Sequence, residues 1–431
     1  MLLKLRVDPA TALMYPEGWQ SWTPTTTYGA TDEPFRPVDQ AHRRMGYGPG
    51  AWGPGCIGSG LLAVRPARDE AIRLFAVPSP LEIPTIRAVL QDDLLLLDAD
   101  GPVVEHSTGS DDIAAALREW AVEFAAAAGV GPLRPAPRVW CSWYQYLTEV
   151  TEADILENLA AMAARDLPID VVQIDDGYQR EIGDWLESSE RFDDLGELVS
   201  RIRAAGRRAG IWVAPFIVGE RSHVAAEHPG WLVPGAKPGR NWGQELAALD
   251  LANEAVQEHL IRMFSSLSAL GIDYFKLDFL YAGAIQGEYR SVAAAIAAYR
   301  AGLRVIRAAV GDQAYLVGCG APTLASVGLV DAMRVSPDTA PYVAPMSGDL
   351  SSPGQRSAIM TGRARQWQNR VFWLNDPDCL LARREVAERE TWAAHVASVD
   401  GLRSVSDRID GLDDWGLGAT RDYLNGGVSI V

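Results

Sequence analysis

Two rhythms of apolar and polar positions divide the chain. Up to about residue 130, short apolar runs such as Leu61-Leu62-Ala63-Val64 and Leu94 to Leu97 alternate with turn residues, and Gly and Pro are frequent. That pattern predicts an all-β region. A helix is expected over about 112–128, followed by the linker-like Gly131-Pro132-Leu133-Arg134-Pro135-Ala136-Pro137. From residue 138 the rhythm becomes strand, helix, strand, helix, with strands expected at 139–142, 171–175, 211–215, 274–278, 315–319, 332–335, 371–374 and 402–405. Eight such units predict an α/β fold, a (β/α)8 TIM barrel. Between the first two strands, Leu156, Leu159, Ala160, Ala163 and Leu167 share one helical face behind Thr151 as N-cap. Val256, Leu260, Met263, Leu267 and Leu270 mark another helical stripe. The sixth unit has room for only a very short helix. The expected organisation is therefore an all-β region with a linker helix (1–130), the barrel (131–407) and a short tail (408–431).

Size and charge narrow the reading. The 431 residues exceed the roughly 250 of a lone barrel, in keeping with an added domain. A formal charge of −17 disfavours nucleic acid and anionic membranes as partners. Cys56, Cys141, Cys319 and Cys379 are too dispersed for a disulfide framework or a zinc site, and the histidines show no metal-binding spacing. The opening apolar run is too short for a signal peptide core, and no stretch approaches a membrane span. A cytoplasmic location is the expectation.

In a barrel, chemistry sits where strands end. Tyr274-Phe275-Lys276-Leu277-Asp278-Phe279 places Lys276 and Asp278 on the same face of a strand that ought to be apolar throughout. A structural Lys–Asp pair is the competing reading. The functional one has Lys276 keeping Asp278 ionised. Arg334-Val335-Ser336-Pro337-Asp338 ends another strand, its proline stiffening the loop that carries Asp338. Two such carboxyl groups are what glycoside hydrolysis requires, one ionised and one protonated. Asp175 and Asp176 end the second strand, as turn formers or as acceptors for sugar hydroxyls. Trp143 and Trp242 are core residues or walls for a sugar ring. Cys319, lacking an activating partner, reads as a small hydrophobe.

At these motifs the chain resembles the glycoside hydrolase family 36 α-galactosidases. The resemblance runs in order from Trp140-Cys141-Ser142-Trp143-Tyr144 through Gln173-Ile174-Asp175-Asp176-Gly177, Gly183-Asp184-Trp185 and Gly210-Ile211-Trp212. It continues through Arg240-Asn241-Trp242, Lys276-Leu277-Asp278, Gly318-Cys319-Gly320, Arg334 to Asp338 and Leu374-Asn375-Asp376-Pro377-Asp378. It implies Asp278 as nucleophile and Asp338 as general acid/base of a retaining enzyme. It further implies that Asp175, Asp176 and Lys276 hold galactose hydroxyls and that Arg334 contacts the sugar beside the scissile bond. Trp143, Tyr144, Trp242 and Cys319 would shape the pocket. Gly18-Trp19-Gln20-Ser21-Trp22 resembles the loop by which the family's sandwich lends a tryptophan to the barrel mouth, and Trp22 is favoured over Trp19. Family members carry a longer sandwich and a C-terminal β domain, so the resemblance implies a shortened β-sandwich domain over 1–130 and a short C-terminal β remnant over 408–431.

The implied activity is removal of terminal α-1,6-linked galactose from oligosaccharides such as melibiose or raffinose. An α-N-acetylgalactosaminidase, an α-galactosyl transferase and a non-catalytic sugar-binding protein are the alternatives. Two carboxyl groups supply both proton and nucleophile, so no metal or organic cofactor is required. Association with further copies of the chain is left open.

Overall fold

A computed structural model describes residues 3–37, 45, 48, 53–288 and 291–427. Among the described residues, nine antiparallel strands precede the barrel: β1 (Leu3–Arg6), β2 (Leu13–Pro16), β3 (Tyr28–Gly29), β4 (Cys56–Ser59), β5 (Leu61–Arg65), β6 (Arg73–Ala76), β7 (Thr85–Gln91), β8 (Leu94–Ala99) and β9 (Val104–Ser107). They form a four-stranded sheet in the order β1-β8-β7-β4 and a five-stranded sheet in the order β3-β2-β5-β6-β9. The alternation along β5 shows how these layers stack. Leu62 and Val64 face the core between the sheets, with Met14, Phe75, Ile86, Leu95 and Leu97. Leu61 and Ala63 point the other way, into the large core shared with the helix Ile113–Ala128 and the barrel. Apolar on both faces, β5 is buried on both faces.

The helix Ile113–Ala128 starts at Asp112, whose carboxylate accepts from the Ala114 and Ala115 amides, and ends at Gly129 in the left-handed conformation. Beyond it lie the barrel strands β10 (Arg138–Cys141), β11 (Val171–Ile174) and β12 (Arg208–Val213). A small antiparallel sheet of β13 (Ile217–Gly219), β14 (Arg240–Asn241) and β15 (Gln244–Ala248) interrupts the alternation. The barrel resumes with β16 (Ile272–Leu277), β17 (Tyr315–Gly318), β18 (Ala332–Arg334), β19 (Leu374–Asp376) and β20 (Arg403–Val405). These eight strands pair in parallel in the order β20-β10-β11-β12-β16-β17-β18-β19. The cylinder nearly closes through the bond from Leu402 N to Asn375 O (2.9 Å) and a parallel bridge between Leu380 and Val405.

Three expectations change. The run 371–374 was expected as the seventh strand, yet β19 spans Leu374–Asp376, and Phe372 turns away to pack on Trp120 and Phe124 of the linker helix. The apolar stretch serves the domain contact, and the polar Asn375 and Asp376 enter the barrel instead. The helix Glu152–Ala164 has Thr151 in a capping box with Asp154, but it buries Ile155, Asn158, Leu159 and Met162 rather than Leu156, Ala160 and Ala163. Asn158 tolerates burial because it donates to Tyr146 Oη (2.7 Å) and accepts from Ile409 N (2.9 Å). Among the described residues the tail forms no β remnant. Asp413 caps a helix, Asp414–Leu424, whose buried Gly416, Ala419, Thr420, Tyr423 and Leu424 recur at helical spacing; residues 428–431 lie outside the described set. No helix among the described residues is long and apolar enough to cross a membrane.

Candidate active site

Strand alternation carries polar side chains to the barrel mouth. Trp212 and Lys276 are register partners on β12 and β16, so they stand side by side on one face. Asp278 follows directly after β16, its backbone N–H bonded to Val213 O (2.8 Å). Around them lies a cavity of about 330 Å³ lined by Trp22, Trp143, Asp175, Asp176, Trp242, Lys276, Asp278 and Asp338 among others. A larger open groove of about 1160 Å³ runs between the sandwich side and the helix Gln355–Ala364, but none of the strand-end carboxylates reaches it. The strand-end carboxylates belong to the smaller space.

The carboxyl groups occupy distinct environments. Asp278 is buried, its Oδ2 accepting from Trp212 Nε1 (2.9 Å) and its Oδ1 from Phe279 N (2.8 Å). Lys276, expected beside Asp278, instead donates to Asp175 Oδ2 (3.1 Å). Burial alone would lower the Lys276 pKa, but the negative charges of Asp175 and Asp278 outweigh it and hold the ammonium above its ordinary range. Asp175 also accepts from Gln173 Nε2 (2.5 Å) and Cys141 Sγ (3.3 Å). Asp176 accepts from Gln179 Nε2 (2.6 Å) and Trp242 Nε1 (2.7 Å). Burial pushes its carboxyl up to about 6, the two donors opposing and Asp175 and Asp278 adding to the rise.

Asp338 is half-buried, and its Oδ1 accepts from Arg334 Nη2 (3.0 Å). Burial raises its pKa against the pull of Arg334, and negative charge on Asp278 raises it further. Tyr144, Cys319 and Arg334, expected in contact with sugar, sit one layer behind the cavity lining. Arg334 and the Tyr144 hydroxyl both bond to Asp378, and Cys319 is buried at the end of β17.

Several lining residues were given no role from the sequence: Trp212, Phe279, Thr148, Asn241, Ser351, Pro353 and Met45. Trp212 had a signal, the same inward parity as Lys276 on the neighbouring strand. Aromatic rings join into a wall, with Trp185–Trp212 centroids at 5.5 Å, Trp212–Trp242 at 6.2 Å, Trp242–Phe279 at 4.9 Å and Phe279–Trp22 at 4.9 Å. Trp242 and Phe279 adopt φ of +49° and +51°, uncommon for bulky residues and frequent where a functional geometry is enforced.

Trp22 comes from the sandwich side. Its loop docks on the segment after β17 through Ser21 N to Ala321 O (3.1 Å) and Thr323 N to Trp19 O (3.0 Å). Gly320 sits beneath the indole at φ +52°, where a Cβ would lie 2.9 Å from the ring. Trp19 is buried in the core instead.

Comparison with known proteins agrees with this geometry. The Melibiase family profile matches residues 134–295. A bifunctional α-galactosidase/sucrose kinase, AgaSK, from Mediterraneibacter gnavus is 31% identical over 165 residues; that stretch is 34% of this chain and only 17% of the relative. The structure of the α-galactosidase TtGalA from Thermus thermophilus, in complex with p-nitrophenyl α-D-galactopyranoside, superposes with a TM-score of 0.84 at 31% identity over 98% of this chain and 87% of that one. AgaA from Geobacillus stearothermophilus, a family 36 α-galactosidase, shares the fold at 14% identity and a TM-score of 0.65, over 98% of this chain and 62% of its own. With identity sustained across nearly all of a solved α-galactosidase, the chain belongs to the melibiase family, the α-galactosidases of glycoside hydrolase family 36.

Proposed function

We propose that the chain is an exo-acting retaining α-galactosidase, with Asp278 as nucleophile and Asp338 as acid/base. The observation that carries this reading is one cavity in which two of the four lining carboxyl groups, Asp278 and Asp338, have different surroundings. Asp278 is pinned by two N–H donors, whereas burial and neighbouring negative charge raise the pKa of Asp338. In the first step a carboxylate oxygen of Asp278 attacks the anomeric carbon as the glycosidic bond breaks, and Asp338 passes its proton to the departing oxygen. In the second, water attacks the same carbon, Asp338 takes the water's proton, and the ester bond to Asp278 breaks.

The remaining groups bind and orient. Asp175, Asp176 and Lys276 present acceptors and a cation to the hydroxyls of one galactose ring, with Trp22, Trp143 and Trp242 as walls. A cavity of about 330 Å³ lies at the small end of ligand sites, which run from about 300 to 1,000 Å³. It suits one terminal sugar rather than a threaded polymer. Melibiose and raffinose are the substrates we infer. TtGalA has been captured with stachyose, a family member from Geobacillus with raffinose. Four buried, unpaired cysteines fit a reducing compartment, and we read the location as cytoplasmic.

Turnover of p-nitrophenyl α-galactoside by the purified protein tests the activity, and a panel including p-nitrophenyl α-N-acetylgalactosaminide tests the substrate. Asp278→Gly should abolish turnover. Asp338→Ala should slow both steps, and azide should rescue it on the activated substrate, yielding α-galactosyl azide. Wild-type rates in Asp278→Gly would refute the assignment.

A further inference from the structure

Asp378 has no place in the cavity lining, yet it is tied closely to the group that does the acid chemistry. It is 1% exposed and adopts a φ of +88° just beyond β19. Its Oδ2 accepts from the Arg334 guanidinium, from the Tyr144 hydroxyl and from Thr339 N (2.8 Å), and its Oδ1 accepts from Cys379 N (2.7 Å). The Arg334 nitrogen that reaches Asp378, Nη2, also reaches Asp338 Oδ1 at 3.0 Å. Two carboxyl groups thus share one guanidinium. The amide held by Asp378 belongs to the residue directly after Asp338.

We propose that Asp378 is a positioning residue for the reaction: by engaging the Arg334 guanidinium it leaves the proton on Asp338, and by holding Thr339 it fixes the loop that aims that proton. The proposal rests on Asp338 being the acid/base. A guanidinium beside a lone carboxyl favours the anion, which would strip a general acid of its proton. Asp378 offsets that pull. Donor count says which of the two carries the charge: among the described residues Asp378 receives four donors and Asp338 only Arg334. Hydrogen bonds to the ionised form stabilise it, so the negative charge settles on Asp378.

Other charged groups bear on the pair. Asp278 and Asp175 raise the Asp338 pKa and Lys276 lowers it, from the ends of β16 and β11. Burial raises Asp378 as well, with Asp338 and Asp376 adding to the rise against Arg334. Tyr144 and Cys319 face Arg334 from the first and fifth strand ends. All of these stay in place when Asp378 alone is changed.

The test is the pH dependence of kcat/KM on melibiose for wild type, Asp378→Asn, Arg334→Gln and the double variant, with folding checked by circular dichroism. Activity is lost at alkaline pH as Asp338 gives up its proton. Asp378→Asn leaves Arg334 uncompensated and should move that alkaline limb down by about one pH unit or more. Arg334→Gln should move it up, and the double variant should return it toward wild type. A merely structural Asp378 would lower kcat with the limb unmoved, which overturns the proposal. Should Asp378→Asn fail to fold, an unmoved limb in Arg334→Gln overturns it equally. Asp338→Ala separates this from the parent reading. A limb that survives there removes the acid/base assignment and the proposal with it; a limb lost there but unmoved in the other variants removes the proposal alone.

Discussion

Glu17 and Arg365, 348 positions apart, form an ion pair at 2.8 Å in which neither side chain has any solvent exposure. Arg365 spends its other donors on Ser21 O (2.7 Å), Gln20 O (3.1 Å), Thr25 Oγ1 (3.0 Å) and Val335 O (3.1 Å). The first three belong to the segment that delivers Trp22 to the cavity, the last to the strand end that delivers Asp338. Tyr15 Oη (2.6 Å) and Gln368 Nε2 (3.4 Å) both donate to Glu17 Oε2. One guanidinium therefore registers the sandwich loop against the barrel rim.

Breaking that pair from either side should be costly. Arg365→Met leaves a buried carboxylate, and Glu17→Gln leaves a buried guanidinium short of its counter-charge. Removal of one partner of such a pair typically costs about 3–5 kcal/mol. Urea unfolding should show a loss of this order for Arg365→Met and a smaller one for Glu17→Gln, whose amide still accepts from Arg365. The double variant should fall well short of the sum of the two. Where the variants fold, KM should rise more than kcat falls, because the displaced group is Trp22, which lines the cavity. Additive losses with unchanged KM would show that the clamp does not serve the site.

Trp212 should matter to catalysis as much as the acids beside it. Its Nε1 is one of two donors to Asp278, the other being a backbone amide that mutation cannot remove. Trp212→Phe keeps the ring contacts with Trp185 and Trp242 but deletes the donor. A hydrogen bond to a charged group is worth about 1.5–3 kcal/mol, so kcat should fall about 10- to 100-fold. Single-turnover kinetics should locate the loss in formation of the galactosyl ester. A rate within twofold of wild type would mean that the amide alone orients the nucleophile.

These two residues show what the sequence could and could not disclose. Asp278, Asp175 and Lys276 were legible because strand periodicity places them, Asp338 because a proline-stiffened loop carries it, and all four because polar groups have few other reasons to occupy barrel strand ends. Trp212 obeyed the same parity, yet an aromatic residue in a barrel strand also suits the core, so its type gave no warning. The Glu17–Arg365 and Arg334–Asp378 contacts were invisible for a different reason. Each depends on chain segments brought together only by closure of the barrel or docking of the sandwich, and no local spacing marks it. The run at 371–373 misled in the opposite sense. Its β-like composition was real, but Phe372 meets an aromatic cluster on the linker helix, and tertiary packing overrode strand propensity. The tail's helical spacing and its Asp413 cap were readable, and the family expectation of β structure hid them.

Asp176 predicts a conflict between stability and function. Its carboxyl is held at about 6 in the folded protein against 3.8 for the free group, so the native state binds the proton more tightly than the unfolded chain. The associated stability is present below pH 3.8 and lost as pH rises through about 6. Above that the buried carboxylate is a burden of up to about 3 kcal/mol, from roughly two pKa units. Asp176→Asn should raise the apparent stability at pH 7 by about 1–3 kcal/mol and leave it almost unchanged near pH 4. It should also weaken substrate binding, because an acceptor for sugar hydroxyls becomes a donor. Denaturation at the two pH values checks the first point and KM the second; equal effects at both pH values would contradict the linkage.

The barrel seam offers the sharpest structural test. Between β19 and β20 the cylinder closes with few bonds, chiefly Leu402 N to Asn375 O. Gly401 lies immediately before that donor, and a Cβ there would sit 2.0 Å from Asn375 O and 3.1 Å from its carbonyl carbon. Both obstacles are backbone, so no side-chain rotation relieves the clash, and the strands must part. Gly401→Ala should destabilise by about 1–3 kcal/mol or more, as overpacking does when the surroundings cannot yield. The harm should reach the site, since parting the seam shifts Asp376 at the end of β19, which accepts from Asp378 N (2.9 Å), and through Asp378 disturbs Arg334 and Asp338. A matched substitution, Gly129→Ala, sits in a left-handed cap with open space around its Cβ and should cost stability without moving kcat. If both variants lose stability alike and keep kcat, closure of the seam is not what holds the acid/base in place.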